Sequence, residues 1–310
     1  MSVLLLTHPS SLAHDTGPGH PERIARLKAV EAALGHPDFS GLIREEAPAA
    51  TEAQLGLVHP QSHIDRVLGM QPEPGRYAHL DADTVMSAGS AAAALHGAGG
   101  AVTAIDAVES GRVTRAFVAT RPPGHHAEPA RAMGFCLFSN AAIAALHARA
   151  AWGRRRVAVV DFDVHHGNGT QAVAWDDADF FFGSSHQYPF YPRTGGADET
   201  GIAGQIVNAP LMAGTGRAAF ETAWTKRILP ALDAYRPECL IISAGFDAHR
   251  DDPLAQLMLD AADFAWVTDA ILAIAARHTG GRVVSLLEGG YDLDALAAST
   301  AAHVRRLLVG

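Results

Sequence analysis

Cysteine is nearly absent from this chain. Cys136 and Cys239 are the only two among 310 residues, too few for a disulfide framework. Both sit in apolar stretches and read as reduced core residues, as expected of a cytoplasmic protein. Charged residues are also scarce at 18%, and the balance is acidic, a formal −9 at pH 7. That argues against the basic patch with which proteins hold a phosphate backbone, so nucleic acid is not an expected partner. The one dense basic run, Arg154-Arg155-Arg156, precedes an apolar segment and reads as a solvated loop. Long hydrophobic runs are missing too. The opening Val3–Leu6 run has no basic region before it and is too short for a signal peptide. No stretch is expected to span a membrane. Hydrophobic residues still make up 48% of the sequence, a globular composition able to bury one large core. No internal repeat or long linker divides the chain. Residues 1–310 are therefore expected to form one domain, and a homo-oligomer is compatible with this composition.

What is present is an alternation. Short apolar, β-branched runs predict strands at Val3–Leu6, Ala116–Thr120, Val157–Phe162, Phe180–Gly183, Leu240–Ala244 and Val283–Leu287. Ala-rich stretches predict helices near Glu22–Leu34, Ser62–Met70, Ser87–Val108, Asn140–Ala151, Ala218–Tyr235, Asp260–His278 and Leu293–Leu307. Strands alternating with helices imply parallel pairing through crossovers, an α/β fold with helices on both faces of the sheet. Ligands of such sheets bind beyond the carboxyl ends of the strands. Four predicted strands lead into Arg121-Pro-Pro-Gly-His125-His126, Asp161-Phe-Asp163-Val-His165-His166-Gly-Asn168, Gly245-Phe-Asp247 and Glu288-Gly-Gly-Tyr291. His, Asp and Tyr are thereby delivered to one edge.

Asp163 and His165 are two apart at a strand end, a spacing that projects both side chains to one face. A carboxylate oxygen with an imidazole nitrogen suits Zn²⁺, and Asp247 is the natural third ligand, leaving an open position for water. A hydrolytic metal site also needs a base, and His125-His126 after a Pro-Pro-Gly turn supplies imidazoles suited to that task near neutral pH. Asp161 and Asn168 are available to hold their tautomers. Tyr291, after Gly289-Gly290, could donate a hydrogen bond to a developing oxyanion, though the position also suits a core aromatic. Gly214-Thr-Gly216 lacks the third glycine of a dinucleotide-binding turn and carries no nucleotide reading.

His20-Pro-Glu-Arg23, Arg121-Pro-Pro-Gly-His-His126, Gly134-Phe-Cys136, Asp161-Phe-Asp-Val-His-His-Gly-Asn-Gly-Thr-Gln171, Ser243-Ala-Gly-Phe-Asp247 and Glu288-Gly-Gly-Tyr291 together resemble the histone deacetylase and acetylpolyamine amidohydrolase family. They are most similar to its class II-like bacterial branch. The resemblance implies a single three-layer, arginase-like α/β domain with a central, mostly parallel, eight-stranded sheet. It implies a zinc-dependent amidohydrolase that removes acetyl or other short acyl groups from acyl-lysine side chains. Zinc would be held by Asp163, His165 and Asp247. His126 would be the general base, His125 with Asp161 its electrostatic partner, and Tyr291 would polarise the scissile carbonyl. Gly134, Phe135 and either Phe190 or Tyr191 would wall the acyl channel, with Asp83 at its rim. A structural potassium ion would lie among Asp161, the main-chain carbonyls of Asp163 and His165, and Ser184-Ser185. Asn168 stands where class I members carry Asp. Leu254 stands where a polyamine-selective branch carries Glu, which favours acylated peptide or protein over acylated polyamine as substrate. The rival readings are a polyamine or other small-amide hydrolase, a dinuclear manganese ureohydrolase, and a non-catalytic acyl-lysine binder. The second meets Asp-Ala-His at Asp247 where a further Asp-x-Asp is needed.

Overall fold

The structure is a computed structural model that describes residues 2–309. Ten strands are present among them: β1 (Val3–Thr7), β2 (Leu42–Glu46), β3 (Ala78–His79), β4 (Val85–Met86), β5 (Arg115–Val118), β6 (Val157–Asp161), β7 (Phe180–Gln187), β8 (Ile206–Leu211), β9 (Cys239–Ala244) and β10 (Val283–Leu287). Eight of these form one sheet in the order β2-β1-β5-β10-β9-β6-β7-β8, every pair parallel. β3 and β4 make a separate antiparallel pair.

Four strands escape the sequence reading: the short pair β3 and β4, and within the main sheet β2 and β8, which are its two edges. An inner parallel strand is buried on both faces and shows as a continuous apolar run, as Val157-Ala-Val-Val does. Edge strands are guarded by charge or proline and lose that signal. β2 reads Leu-Ile-Arg-Glu-Glu, and β8 carries Pro210.

Helices cover both faces. They are α1 (Ile24–Leu34), α2 (Glu52–Leu55), α3 (Gln61–Gly69), α4 (Ser90–Glu109), α5 (Asn140–Trp152), α6 (Asn168–Ala174), α7 (Arg217–Ala223), α8 (Leu229–Tyr235), α9 (Ala261–His278) and α10 (Leu293–Val309). Strand residues alternate between the two faces. Val3, Leu5, Ala158, Val160, Leu240 and Ile242 pack with side chains of α1, α8, α9 and α10. Leu4, Leu6, Val157, Val159, Cys239 and Ile241 pack with α4 and α5. The result is a single three-layer α/β domain.

Two expectations need correction. The helix predicted over Ala218–Tyr235 is interrupted by a π-turn at Trp224–Ile228, where the Leu229 N–H bonds the Trp224 carbonyl. Pro230 just beyond has no N–H to offer the preceding turn, and a widened turn accommodates that gap. The second correction is α4. With 20 residues and mean hydropathy 1.2 it is long and apolar enough to cross a membrane, contrary to the sequence reading. Its apolarity has another use, since 72% of that window is buried inside the domain. The basic run Arg154–Arg156 is solvated and paired, to Glu109, Asp179 and Glu238 respectively. Both cysteines are free and buried.

Candidate active site

The four chemistry-bearing strand exits belong to β5, β10, β9 and β6, which are consecutive in the sheet. Their carboxyl ends therefore face one spot from neighbouring positions. Ligating atoms of Asp163, His165 and Asp247 all lie within 4.8 Å of one another there. His165 Nδ1 is 3.0 Å from Asp247 Oδ2 and 3.2 Å from Asp163 Oδ1. The strand pleat does not produce this meeting, as the spacing suggested, because β6 stops at Asp161. Carboxylate turns do it instead: the Asp163 N–H donates to Asp161 Oδ1 (3.0 Å), and the His165 N–H to Asp163 Oδ1 (2.8 Å).

Further main-chain donors fix the two carboxylates. Val164 N–H donates to Asp247 Oδ1 and Gly289 N–H to Asp163 Oδ2, both at 2.8 Å. Gly245 and Gly289 are glycines of necessity, since a Cβ on either would collide with the Asp163 carboxylate. Among the described residues, the ion pairs of Asp163 and Asp247 are with histidines only. Burial, then the neighbouring Asp163 charge, push Asp247 up to about 7. Two buried carboxylates and an imidazole form an O/N donor set that fits a divalent ion such as zinc, whose charge would offset this repulsion.

The adjacent histidines differ sharply. His125 Nδ1 lies 3.0 Å from Asp161 Oδ2, and its main-chain N–H donates to Glu288 Oε2 at 3.2 Å. Burial opposes its charge, but Asp163 and Asp161 outweigh burial and raise it to about 10. His126 Nδ1 lies 2.8 Å from the Asn168 amide oxygen. Burial and the charges of His125 and His165 hold it well below the usual histidine range, so it stays a neutral ring.

Above the cluster lies a cavity of about 240 Å³, lined by Asp83, His126, Gly134, Phe135, His165, Phe190, Tyr191, Leu254 and Tyr291. Every channel residue expected from the sequence lines it. Phe190 and Tyr191, read as alternatives, both do. The Phe190 ring stacks on His165 with centroids 5.5 Å apart, and Tyr191 meets His126 edge-on at 5.2 Å. Phe135 stands in a left-handed turn (φ 69°) with Gly134 (φ 57°), and its N–H is held by the Thr84 hydroxyl at 3.1 Å. Tyr291 is buried. Its N–H donates to Asp252 Oδ2 (2.7 Å), and Arg26 lies over its ring, 4.8 Å from the centroid. Burial, despite Arg26, raises its phenol well above the usual value, so it remains a proton donor. Ser184 lies beside Asp161 in the β6–β7 register, whereas the Ser185 hydroxyl accepts from Trp224.

Several supporting residues went unassigned in the sequence. Glu288 accepts from Gly124 N–H (2.7 Å) and the Ser243 hydroxyl (3.0 Å), tying three strand exits together. Glu22 and Arg26 lie in or just after the quoted His20–Arg23 motif, but their pairing with Arg121 needed the fold. Glu128, Thr84 and Asp252 carried no signal beyond their proximity to such motifs.

A three-layer α/β domain of the arginase-like kind, with its His–Asp cluster at the carboxyl edge of a parallel sheet, is thus defined by fold and site. The family model for the histone deacetylase domain matches residues 20–307. A histone deacetylase-like amidohydrolase of Pseudomonas aeruginosa is 39% identical over 282 residues, covering 88% of this chain and 73% of its own. A probable deacetylase of Methanothermobacter thermautotrophicus is 40% identical over 309 residues, covering 98% and 90%. The crystal structure of the HDA15 HD domain superimposes with a TM-score of 0.92 at 36% identity, covering 99% of this chain and 89% of that one. The chain belongs to the histone deacetylase family and is a hydrolase.

Proposed function

We propose that the protein is a zinc-dependent deacylase that removes acetyl or other short acyl groups from lysine side chains. The observation that carries this reading is the Asp163–His165–Asp247 cluster at the floor of an aromatic-walled cavity, with a neutral histidine beside it. Zinc, when bound by those three residues, would supply a Lewis acid and lower the pKa of water. The chain's own groups do the rest. His126 takes the proton of the attacking water and returns it to the leaving amine. His125, held by Asp161, supplies positive charge beside the reacting centre. Tyr291 donates its phenol proton in a hydrogen bond to the oxyanion. Gly134, Phe135, Phe190, Tyr191 and Leu254 exclude water around the acyl-lysine stem. Asp161, the main-chain carbonyls of Asp163 and His165, and Ser184-Ser185 would hold a structural potassium ion. The free buried cysteines are in keeping with a cytoplasmic location.

A second substrate reading, an acylated polyamine, has one observation in its favour: Asp83 lines the cavity, and the Asp81 carboxylate accepts its main-chain N–H. Against it, Leu254 offers no counter-charge to a distal ammonium. Comparing kcat/KM for an acetyl-lysine peptide and N-acetylputrescine decides between them. The lysine reading expects the peptide to be preferred. A preference of about ten-fold for the polyamine, worth ~1.4 kcal/mol, would reverse it. Hydrolysis of neither, or full activity after exhaustive chelation, would reject the zinc deacylase altogether.

A further inference from the structure

His126 can act as a base only if its unprotonated nitrogen is the one facing the reacting centre, and its tautomer is set by Asn168. An amide is ambiguous in that role. Turned one way it offers oxygen to Nδ1, which must then carry the proton. Turned the other way it offers N–H, and the proton moves to Nε2. The two orientations are nearly equal in shape, so something else has to choose between them.

Glu128 makes the choice. Its Oε1 lies 2.8 Å from Asn168 Nδ2, and an ionised carboxylate only accepts. The other neighbours of that nitrogen, the His126 carbonyl at 3.4 Å and Met133 Sδ at 3.3 Å, are also acceptors but weak ones. With Nδ2 committed to this side, Oδ1 faces His126 Nδ1 at 2.8 Å, Nδ1 is the N–H, and Nε2 keeps its lone pair. Both ends of the arrangement are anchored. Glu128 exchanges main-chain hydrogen bonds with Arg131 at 2.9 and 3.2 Å. Gly169 and Thr170, next to Asn168, donate to the His125 carbonyl at 3.0 and 3.2 Å. We infer that Glu128 is a positioning residue for catalysis: through the Asn168 amide it fixes the tautomer of His126. The negative charge thereby stays one amide away from the imidazole. His125 has its carboxylate in direct contact and is held protonated, whereas His126 gains orientation without a comparable pull on its proton.

This inference rests on the deacylase reading for its kinetic arm only. A positioned base typically contributes about 10²–10⁴-fold, so disturbing its tautomer through Glu128→Ala should lower kcat at least about ten-fold with KM nearly unchanged. Glu128→Gln presents an amide oxygen to Asn168 Nδ2 and should recover kcat to within about three-fold. Imidazole ¹⁵N shifts of the zinc-loaded protein should report Nδ1–H for His126 in the wild type and in Glu128→Gln, and a tautomer mixture in Glu128→Ala. A merely structural glutamate would change the melting temperature and leave this signature unmoved. The inference is overturned if Glu128→Ala keeps wild-type kcat, if Glu128→Gln is as impaired as the alanine variant, or if the His126 shifts are the same in all three. Should no acyl-lysine substrate be turned over, the deacylase reading fails, and the ¹⁵N comparison still tests the inference.

Discussion

Glu22 and Asp247 are both fully buried carboxylates close to the same cavity, and the protein deals with their charge in opposite ways. Glu22 bonds Arg26 Nη1 at 2.8 Å and Arg121 Nη2 at 2.6 Å, with His14 Nε2 at 3.4 Å. Burial opposes its ionisation, but Arg121, His14 and Arg26 win, and its carboxyl is held well below the usual range. Asp247 has the same burial and another carboxylate for company, and it moves in the other direction. One centre carries its own cations and is complete as protein. The other, on the proposed reading, would take its cation from solution. His303 represents a third way to bury an ionisable group. Its ring bonds only neutral partners, Thr268 Oγ1 at 2.6 Å and Ser285 Oγ at 2.8 Å, and burial lowers it to about 3, so it gives up its charge.

The sharpest break of this comparison is Asp247→Ala. Turnover and zinc content, by elemental analysis, should both be lost while the circular dichroism spectrum is unchanged. The metal-free variant should lose less stability than Glu22→Ala does, because the removal of a repelling charge offsets part of the loss of the Val164 N–H and His165 contacts. Retained zinc, or a collapse of the fold, would put Asp247 in the same category as Glu22.

Glu22→Ala should do the reverse. Two buried guanidinium groups would lose their carboxylate, and breaking a buried pair costs about 3–5 kcal/mol. Urea denaturation measures this, and a loss below ~1 kcal/mol would mean the network behaves like a surface pair.

Tyr291 stands between the two centres, with Arg26 over its ring and Asp247 beside it. Tyr291→Phe keeps the packing and removes the proposed oxyanion donor, so kcat should fall by about 10²–10³ with KM and melting temperature nearly unchanged. A drop of only a few-fold would assign the tyrosine to the packed network instead.

The smallest effect concerns His303. Between about 3 and its ordinary 6.5 the unfolded chain binds a proton that the folded chain does not. Its contribution is therefore fully present above pH 6.5 and is lost as pH falls, by at most about 1.4 kcal/mol per pH unit. His303→Gln should flatten the acid limb of the stability curve by up to that slope. An unchanged limb would show that other buried histidines, such as His59 at about 4, dominate it.

The inner sheet was legible in the sequence because a strand buried on both faces is mostly apolar, and β1, β5, β6, β9 and β10 each carry an apolar run broken only by Thr7, Arg115, Asp161, Ser243 and Ser285 respectively. The edges were not, since Arg44 to Glu46 and Pro210 protect them with residues that otherwise signal loops. The convergence of the residues proposed as ligands and bases was legible, because a residue type at a strand exit already suggests a chemistry. The supporting groups were not. Glu128, Thr84 and Asp252 act through hydrogen bonds to residues 40, 51 and 39 positions away, and no local pattern encodes such a distance. The proximity of Asp163 to His165 was read correctly for an incorrect reason, the turn having been mistaken for strand pleat.

The place of β10 has a consequence for how the protein is made. It is the last strand in the chain, yet it lies between β5 and β9 in the middle of the sheet. Without β10 the sheet order divides into two blocks, β2-β1-β5 and β9-β6-β7-β8, each with an inner edge that the same strand covers. His125 and His126 ride on one block, and Asp163, His165 and Asp247 on the other. Only with β10 in place does one sheet hold the two groups side by side, so the proposed active site depends on the strand that is synthesised last.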